Sequence, residues 1–183
     1  MEKTASGFRS PNQDAAFWTE RPRSNLDTLM LITRDPLARQ DPLEEGLEVL
    51  DVSSEHGLGV RTLVPRRAGE VVHRFTGAIT PELQLHSLQV SENLHIVDTE
   101  YVGYLSHSCD PNCRLDMSRF ELLALRDVEA GGVLTIDYAA TEDVLYRQFA
   151  CRCGAPFCRR WITGRTEGPN AEGRAYLAIP REP

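Results

Sequence analysis

Between Leu47 and Tyr138 the chain alternates short apolar stretches with clusters of Gly, Pro and charge. Five stretches read as strands: LEVLDVS (47–53), LGVRTLV (58–64), EVVHRFTG (70–77), FELLALRDV (120–128) and GVLTIDY (132–138). They are rich in β-branched residues and too short to carry the apolar stripe of a long helix. VPRRAGE and VEAGG between them hold the residues of turns. The pattern predicts one short helix, Thr80–Val90, with Thr80 as N-cap and Pro81 in the first turn. Leu26–Thr33 is apolar enough for a strand or a short helix, and its period does not choose between them. The class is mainly β, with many short strands and long connections.

The sequence divides into four parts. Residues 1–45 form a polar arm of unassigned role, with SPNQD and ERPRS as breakers. Residues 46–146 form the strand-rich body, residues 147–166 a cysteine-rich segment, and residues 167–183 a tail expected to be mobile at its end. No internal repeat is present.

Composition narrows the partners. At 183 residues the chain fits one domain with room for a core. A net charge of -7 argues against direct nucleic-acid binding and suits a cationic ligand or partner. Lys3 is the only lysine among the basic residues, a bias that a GC-rich, bacterial genome would produce. No apolar run approaches the ~20 residues of a membrane span, and MEKTASGFRS lacks the apolar core of a signal peptide. The expected location is therefore the cytosol, or a nucleus in a eukaryote. There, clustered cysteines more often bind metal than form disulfides.

The five cysteines fall in two groups, SHSCDPNC and CRCGAPFC. Cys151, Cys153 and Cys158 supply three ligands for a tetrahedral zinc site, with Gly154 and Pro156 turning the chain between them. Cys109 and Cys113 are both available as the fourth, and spacing does not choose. Free buried thiols and a redox pair are the alternatives. Three cysteines within eight residues speak against the first, and a CxC without an activating base speaks against the second.

Taken in order, EHGLGVRTLVPRRAGEVVHRFTGAIT, SHSCDPNC, GGVLTIDY and CRCGAPFC resemble the motifs of the SET domain and its cysteine-rich post-SET segment. The resemblance covers residues 46–166: a SET domain over 46–146 and a post-SET segment over 147–166. It implies a fold of small curved β-sheets, with a pseudoknot-like crossing that sets two C-terminal motifs side by side. The activity implied is methyl transfer from S-adenosylmethionine to an amine, on a protein or a small molecule. Gly57, Leu58 and Gly59 would approach the cofactor with backbone, and Ser106 and His107 would cradle it. Tyr138 would line the transfer point, and Phe157 and Trp161 would cover the cofactor or channel. Cys109 matches the family's fourth zinc ligand beside Cys151, Cys153 and Cys158, which leaves Cys113 a free thiol after an Asp110–Pro111–Asn112 turn.

The sequence also departs from the family pattern. Ser106 stands where Asn is usual, and Arg74–Phe75 before Gly77 replaces Glu-Tyr, which removes a hydroxyl. Ile136 replaces an aromatic that helps set the channel's width. The substrate-shaping insert shrinks to residues 80–100, and residues 1–45 hold no cysteine. Tyr101 and Tyr104 are candidates to restore the hydroxyl, and His95 and Asp98 are expected in a solvated loop. These departures point away from a histone tail as substrate. A different chemistry on the same scaffold, or a non-catalytic binding module, are the competing readings.

Overall fold

Short apolar runs become short strands in the computed structural model, which describes residues 46–53 and 57–180. The arm read over residues 1–45, with Leu26–Thr33, lies outside the described residues. The strands are β1 (Leu47–Ser53), β2 (Gly57–Thr62), β3 (Val71–Arg74), β4 (Ala78–Thr80), β5 (Leu88–Ser91) and β6 (Leu94–Val97). There follow β7 (Ser106–His107), β8 (Cys113–Asp116), β9 (Glu121–Ala124), β10 (Val133–Ile136), β11 (Phe149–Ala150) and β12 (Trp161–Ile162). A 3-10 turn (Val102–Tyr104) and two helices, α1 (Tyr138–Thr141) and α2 (Ala171–Ala178), complete the described elements. The fold is mainly β, as the pattern predicts.

The strands form small sheets in the orders β1-β2-β10-β7, β3-β9-β8, β4-β6-β5 and β11-β12. The first three share one core. Val60 of β2, Leu134 and Ile136 of β10, Val72 of β3, Leu122 of β9 and Ile96 of β6 are all buried in it. Each such side chain contributes roughly 1.5–3 kcal/mol by leaving water. β10 shows the period-two pattern that places it centrally: Leu134 and Ile136 face the core while Thr135 turns its hydroxyl to Asn112.

One parallel pairing organises the C-terminal half. Thr135 and Ile136 of β10 stand opposite Ser106 and His107 of β7, and the Ser108 N–H donates to the Ile136 carbonyl at 3.0 Å. Asn112 extends this seam. Its amide donates to the Val133 carbonyl at 2.8 Å and its Oδ1 accepts from the Thr135 N–H at 2.8 Å. The two C-terminal motifs thus lie side by side.

Two expectations are corrected. No helix forms over Thr80–Val90. Thr80 does accept from the Glu82 N–H, but His86 takes a positive φ of 68° that ends any helix, and Leu88–Ser91 pairs with β6. The Gln89 N–H that a helix would use goes instead to the Glu142 carboxylate. His95 is not in a solvated loop: it is buried on β6, the central strand of its sheet.

The described part of the tail carries a capped helix, and its last three residues lie outside the described ones. α2 starts at Asn170, whose Oδ1 accepts from the Gly173 N–H at 2.8 Å. Arg160 closes the other end, donating to the carbonyls of Tyr176 and Ile179 at 3.3 and 2.7 Å, where a cation meets the negative end of the helix.

Residues 164–167 are stapled to 142–145 by backbone bonds from Arg165 to Glu142 and from Thr166 to Asp143. A Cβ on Gly164 would stand 2.2 Å from the Asp143 carbonyl oxygen, a backbone atom that cannot step aside. Gly164→Ala is therefore expected to cost about 2–4 kcal/mol in urea denaturation. Gly168→Ala, which meets nothing within 4 Å, should stay within about 0.5 kcal/mol of the parent.

Candidate functional site

Two strand ends and one loop bring four thiols together. The Sγ atoms of Cys109, Cys151, Cys153 and Cys158 all lie within 4.8 Å of one another, and Cys109 and Cys151 are 3.9 Å apart. Tetrahedral thiolate coordination at ~2.3 Å sets neighbouring sulfurs about 3.8 Å apart, so the group can hold one metal ion. Backbone N–H groups point at the sulfurs: Cys109 donates to Cys153, Arg159 to Cys109 and Arg160 to Cys158. Burial works against charge at Cys109, Cys151 and Cys153. It pushes Cys151 and Cys109 up, while at Cys153 the N–H groups of Cys109 and Ala155 outweigh it and hold the thiol at about 6. Cys113 is outside the group, buried in the core on β8, where desolvation pushes its thiol up to about 12. The choice between Cys109 and Cys113 falls to Cys109.

His107 connects this group to Tyr138. Its Nδ1 accepts from the Tyr138 N–H at 3.3 Å, so the proton sits on Nε2, 3.5 Å from the Cys109 sulfur. Burial holds the imidazole down to about 4, against the smaller pull of Asp137, and the ring is neutral. Asp137 caps α1 by accepting from the Ala139 N–H and pairs with Arg159 of the cysteine segment. The Tyr138 hydroxyl donates to the Leu105 carbonyl at 2.6 Å, and its ring meets those of His107 and Phe149 edge-on at 5.2 and 5.9 Å. Burial, with the charge of Glu142 second, pushes the phenol up to about 12, so it stays protonated at neutral pH.

These residues wall a cavity of about 780 Å³, within the range of small-molecule and cofactor sites. Gly57, Leu58, Ser106, His107, Ile136 and Tyr138 line it. Gly57 needs its lack of a side chain for a φ of 68°.

Gly59 does not line the cavity. Its Cβ would fall 2.4 Å from Val52 Cγ2 and 2.8 Å from Ser106 Oγ, so the glycine makes room for the neighbouring strands rather than for a ligand. That same contact turns Ser106 Oγ inward, buried and without a hydrogen-bond partner. Trp161 and Phe157 do not cover the cavity either. Trp161 is buried under α2, against Gly173, with its Nε1 donating to Gln148, and Phe157 is 73% exposed on the cysteine loop.

Phe149 and Leu145 form the wall that those two were expected to give. Tyr104 also faces the cavity, its ring 4.7 Å from that of His86, whereas Tyr101 stacks edge-on to His73. Phe75 is a core residue against Phe120.

Glu142 is the residue the sequence reading missed. It follows α1, is 6% exposed, and lines the cavity. Both carboxylate oxygens accept from the Gln89 N–H, at 3.0 and 3.1 Å. Burial pushes its carboxyl up to about 7. Nothing in TEDV marks one acid as buried and the next, Asp143, as the partner of Arg165.

Known proteins share this arrangement of motifs. A family profile described as SET domain matches residues 57–139. The chain is 33% identical over 132 residues to "Methyltransferase flvH" of Aspergillus flavus, covering 70% of this chain and 74% of that protein. It is 27% identical over 139 residues to "Histone-lysine N-methyltransferase ash1" of Drosophila melanogaster, covering 63% of this chain and 6% of that protein. Among solved structures, that of KRYPTONITE in complex with mCHG DNA and SAH superposes with a TM-score of 0.52 at 26% identity, over 63% of this chain and 28% of that one.

Two outcomes test the site as described. Metal analysis should return about one ion per chain for the parent and for Cys113→Ser, and much less for Cys151→Ser; a strong chelator should lower the melting temperature of the first two. Glu142 gives a pH signature. Its folded carboxyl, near 7, lies above the ordinary 4.5. Below 4.5 both states keep the proton, and as pH rises the unfolded chain releases it first, so stability falls until the folded form ionises as well. Glu142→Gln lacks that loss. Between about pH 5 and about pH 8 its stability should rise relative to the parent by roughly 2–3 kcal/mol in denaturant titrations. A constant difference would remove the shift.

Proposed function

This chain belongs to the SET-domain methyltransferase family, and from that premise we propose that it moves a methyl group from S-adenosylmethionine to an amine nitrogen. The acceptor is a lysine-like side chain or a small amine. The observation that carries the reading is the convergence on one cavity of Gly57–Leu58, Ser106–His107 and a Tyr138 hydroxyl held by the Leu105 carbonyl. The relative named as a histone-lysine N-methyltransferase and the KRYPTONITE structure with SAH support the amine and the cofactor class. The net charge of -7 supports an amine-bearing partner over a polyanion.

When bound, S-adenosylmethionine supplies a sulfonium-activated methyl group and its own leaving group. The protein's part is positioning. Gly57 and Leu58 give a backbone turn at the cavity, and Ser106–His107 give an adjoining strand. Tyr138 has spent its proton on Leu105, so its oxygen faces the cavity as an acceptor for an amine N–H and orients the nitrogen lone pair. An amine reacts only as the free base, and its ordinary pKa is ~10.4. Apolar walls such as Leu88, Ile136 and Leu145 desolvate the ammonium and lower that value. Ile136, in place of a ring, leaves this part of the wall wider.

For the four thiols we assign zinc, whose preference is a closed tetrahedral sulfur set. Its role is to hold residues 145–153 against the cavity. Tyr138→Phe should lower turnover of tritiated methyl from the cofactor about tenfold to a hundredfold, with metal content and SAH affinity unchanged. Undiminished turnover would remove Tyr138 from the reaction, and no calorimetric binding of cofactor would leave a binding module instead.

A further inference from the structure

Glu142 has no stated task in methyl transfer, yet its carboxylate is buried in the wall of the cavity. Among the described residues it forms no ion pair, because the nearby Arg165 is engaged with Asp143 at 2.7 Å. Its partners are neutral: both oxygens accept from the Gln89 N–H, and the Thr141 hydroxyl is the other donor beside it. A carboxylate kept out of water without a cation is costly, and a cation brought by a ligand relieves that cost.

The wall around it belongs to the substrate side. Gln89 is the second residue of β5 and follows residues 83–88, which line the cavity, whereas the proposed cofactor contacts lie on β2 and β7. The same wall is fixed in place: the Gln89 side chain donates to Asp143 Oδ2 at 2.7 Å and accepts from the Asp143 N–H at 2.6 Å.

The cation cannot be the nitrogen that reacts. A carboxylate beside that nitrogen would hold its proton on, and methyl transfer needs the free base. The group that Glu142 suits is a second, non-reacting ammonium. We propose that Glu142 is a specificity-determining residue that binds the distal ammonium of a small diamine whose other nitrogen is methylated. This rests on the amine-methyltransferase reading above and names its substrate class.

The test uses the full chain saturated with SAH, and two probes: 1,5-diaminopentane, as long as a lysine side chain, and 1-aminopentane, which lacks the second nitrogen. By calorimetry the parent should bind the diamine at least about tenfold tighter than the monoamine. Glu142→Gln keeps an oxygen for the Gln89 N–H, so it should fold with unchanged metal content. It should lose that preference while binding the monoamine as before. In turnover, KM for the diamine should rise about tenfold with kcat changed less than about threefold.

Three outcomes would overturn the proposal: equal affinity of the parent for both amines, an undiminished preference in Glu142→Gln, or a matching loss of SAH affinity in Glu142→Gln, which would assign the carboxylate to the cofactor's own ammonium. Diamine preference without any methyl transfer would sustain the Glu142 assignment and sink the enzymatic reading instead.

Discussion

The side chain of Asn112 stands in for a length of strand. β7 is two residues long, too short to hold β10 by itself, and Asn112 continues the ladder by answering the Val133 carbonyl and the Thr135 N–H. Leaving those two backbone groups buried and unmatched would cost about 1–3 kcal/mol each. The seam it closes sets Ser106 and His107 beside Ile136, and places Tyr138 where its N–H meets the His107 ring. Every later feature of the site takes its position from there. Cys109 leaves the seam towards the other thiols, and Tyr138 leaves it towards Leu105.

The neutral imidazole of His107 is the joint between metal group and cavity. One nitrogen accepts from the backbone of α1 and the other faces the sulfur of Cys109. Engaged on both sides, the ring is fixed in tautomer and in orientation. Arg159 adds a second tie, through its N–H to Cys109 and its guanidinium to Asp137. The cysteine segment thus meets the cavity at its N-terminal end, where Phe149, Cys151, Arg152 and Cys153 line it. That explains why Phe149, ahead of the first cysteine, forms the wall while Phe157, within the loop, stays in water.

The legible part of the fold was what local pattern controls. β2, β3, β9 and β10 announce themselves by β-branched residues and turn chemistry, and the thiol group by its spacing. What failed depended on distant partners. LQVS becomes a strand because LHIV lies beside it and because Glu142, more than fifty residues on, takes the Gln89 N–H. Helix α2 forms where Trp161 offers an indole face that only a glycine can approach, and where Arg160 caps it. At the site, Gly57, Ser106, His107 and Tyr138 of the motifs line one cavity, while Gly59 packs beside Val52 and Ser106. Glu142 was illegible because acids are ordinarily exposed, and only the tertiary wall makes this one buried.

The distance in sequence between Cys109 and its three partners has a consequence during synthesis. Ribosomes emit about 5–20 residues per second, N-terminus first. The segments that carry Gly57, Ser106 and Cys109 therefore emerge seconds before Cys151, Cys153 and Cys158. For that interval the nascent chain holds one of the four grouped thiols, while the central strand β10 arrives to pair with β7. The thiol group is completed only after the strands that wall the cavity have been made. It is a latch, closed last, on a pocket whose floor has already been laid.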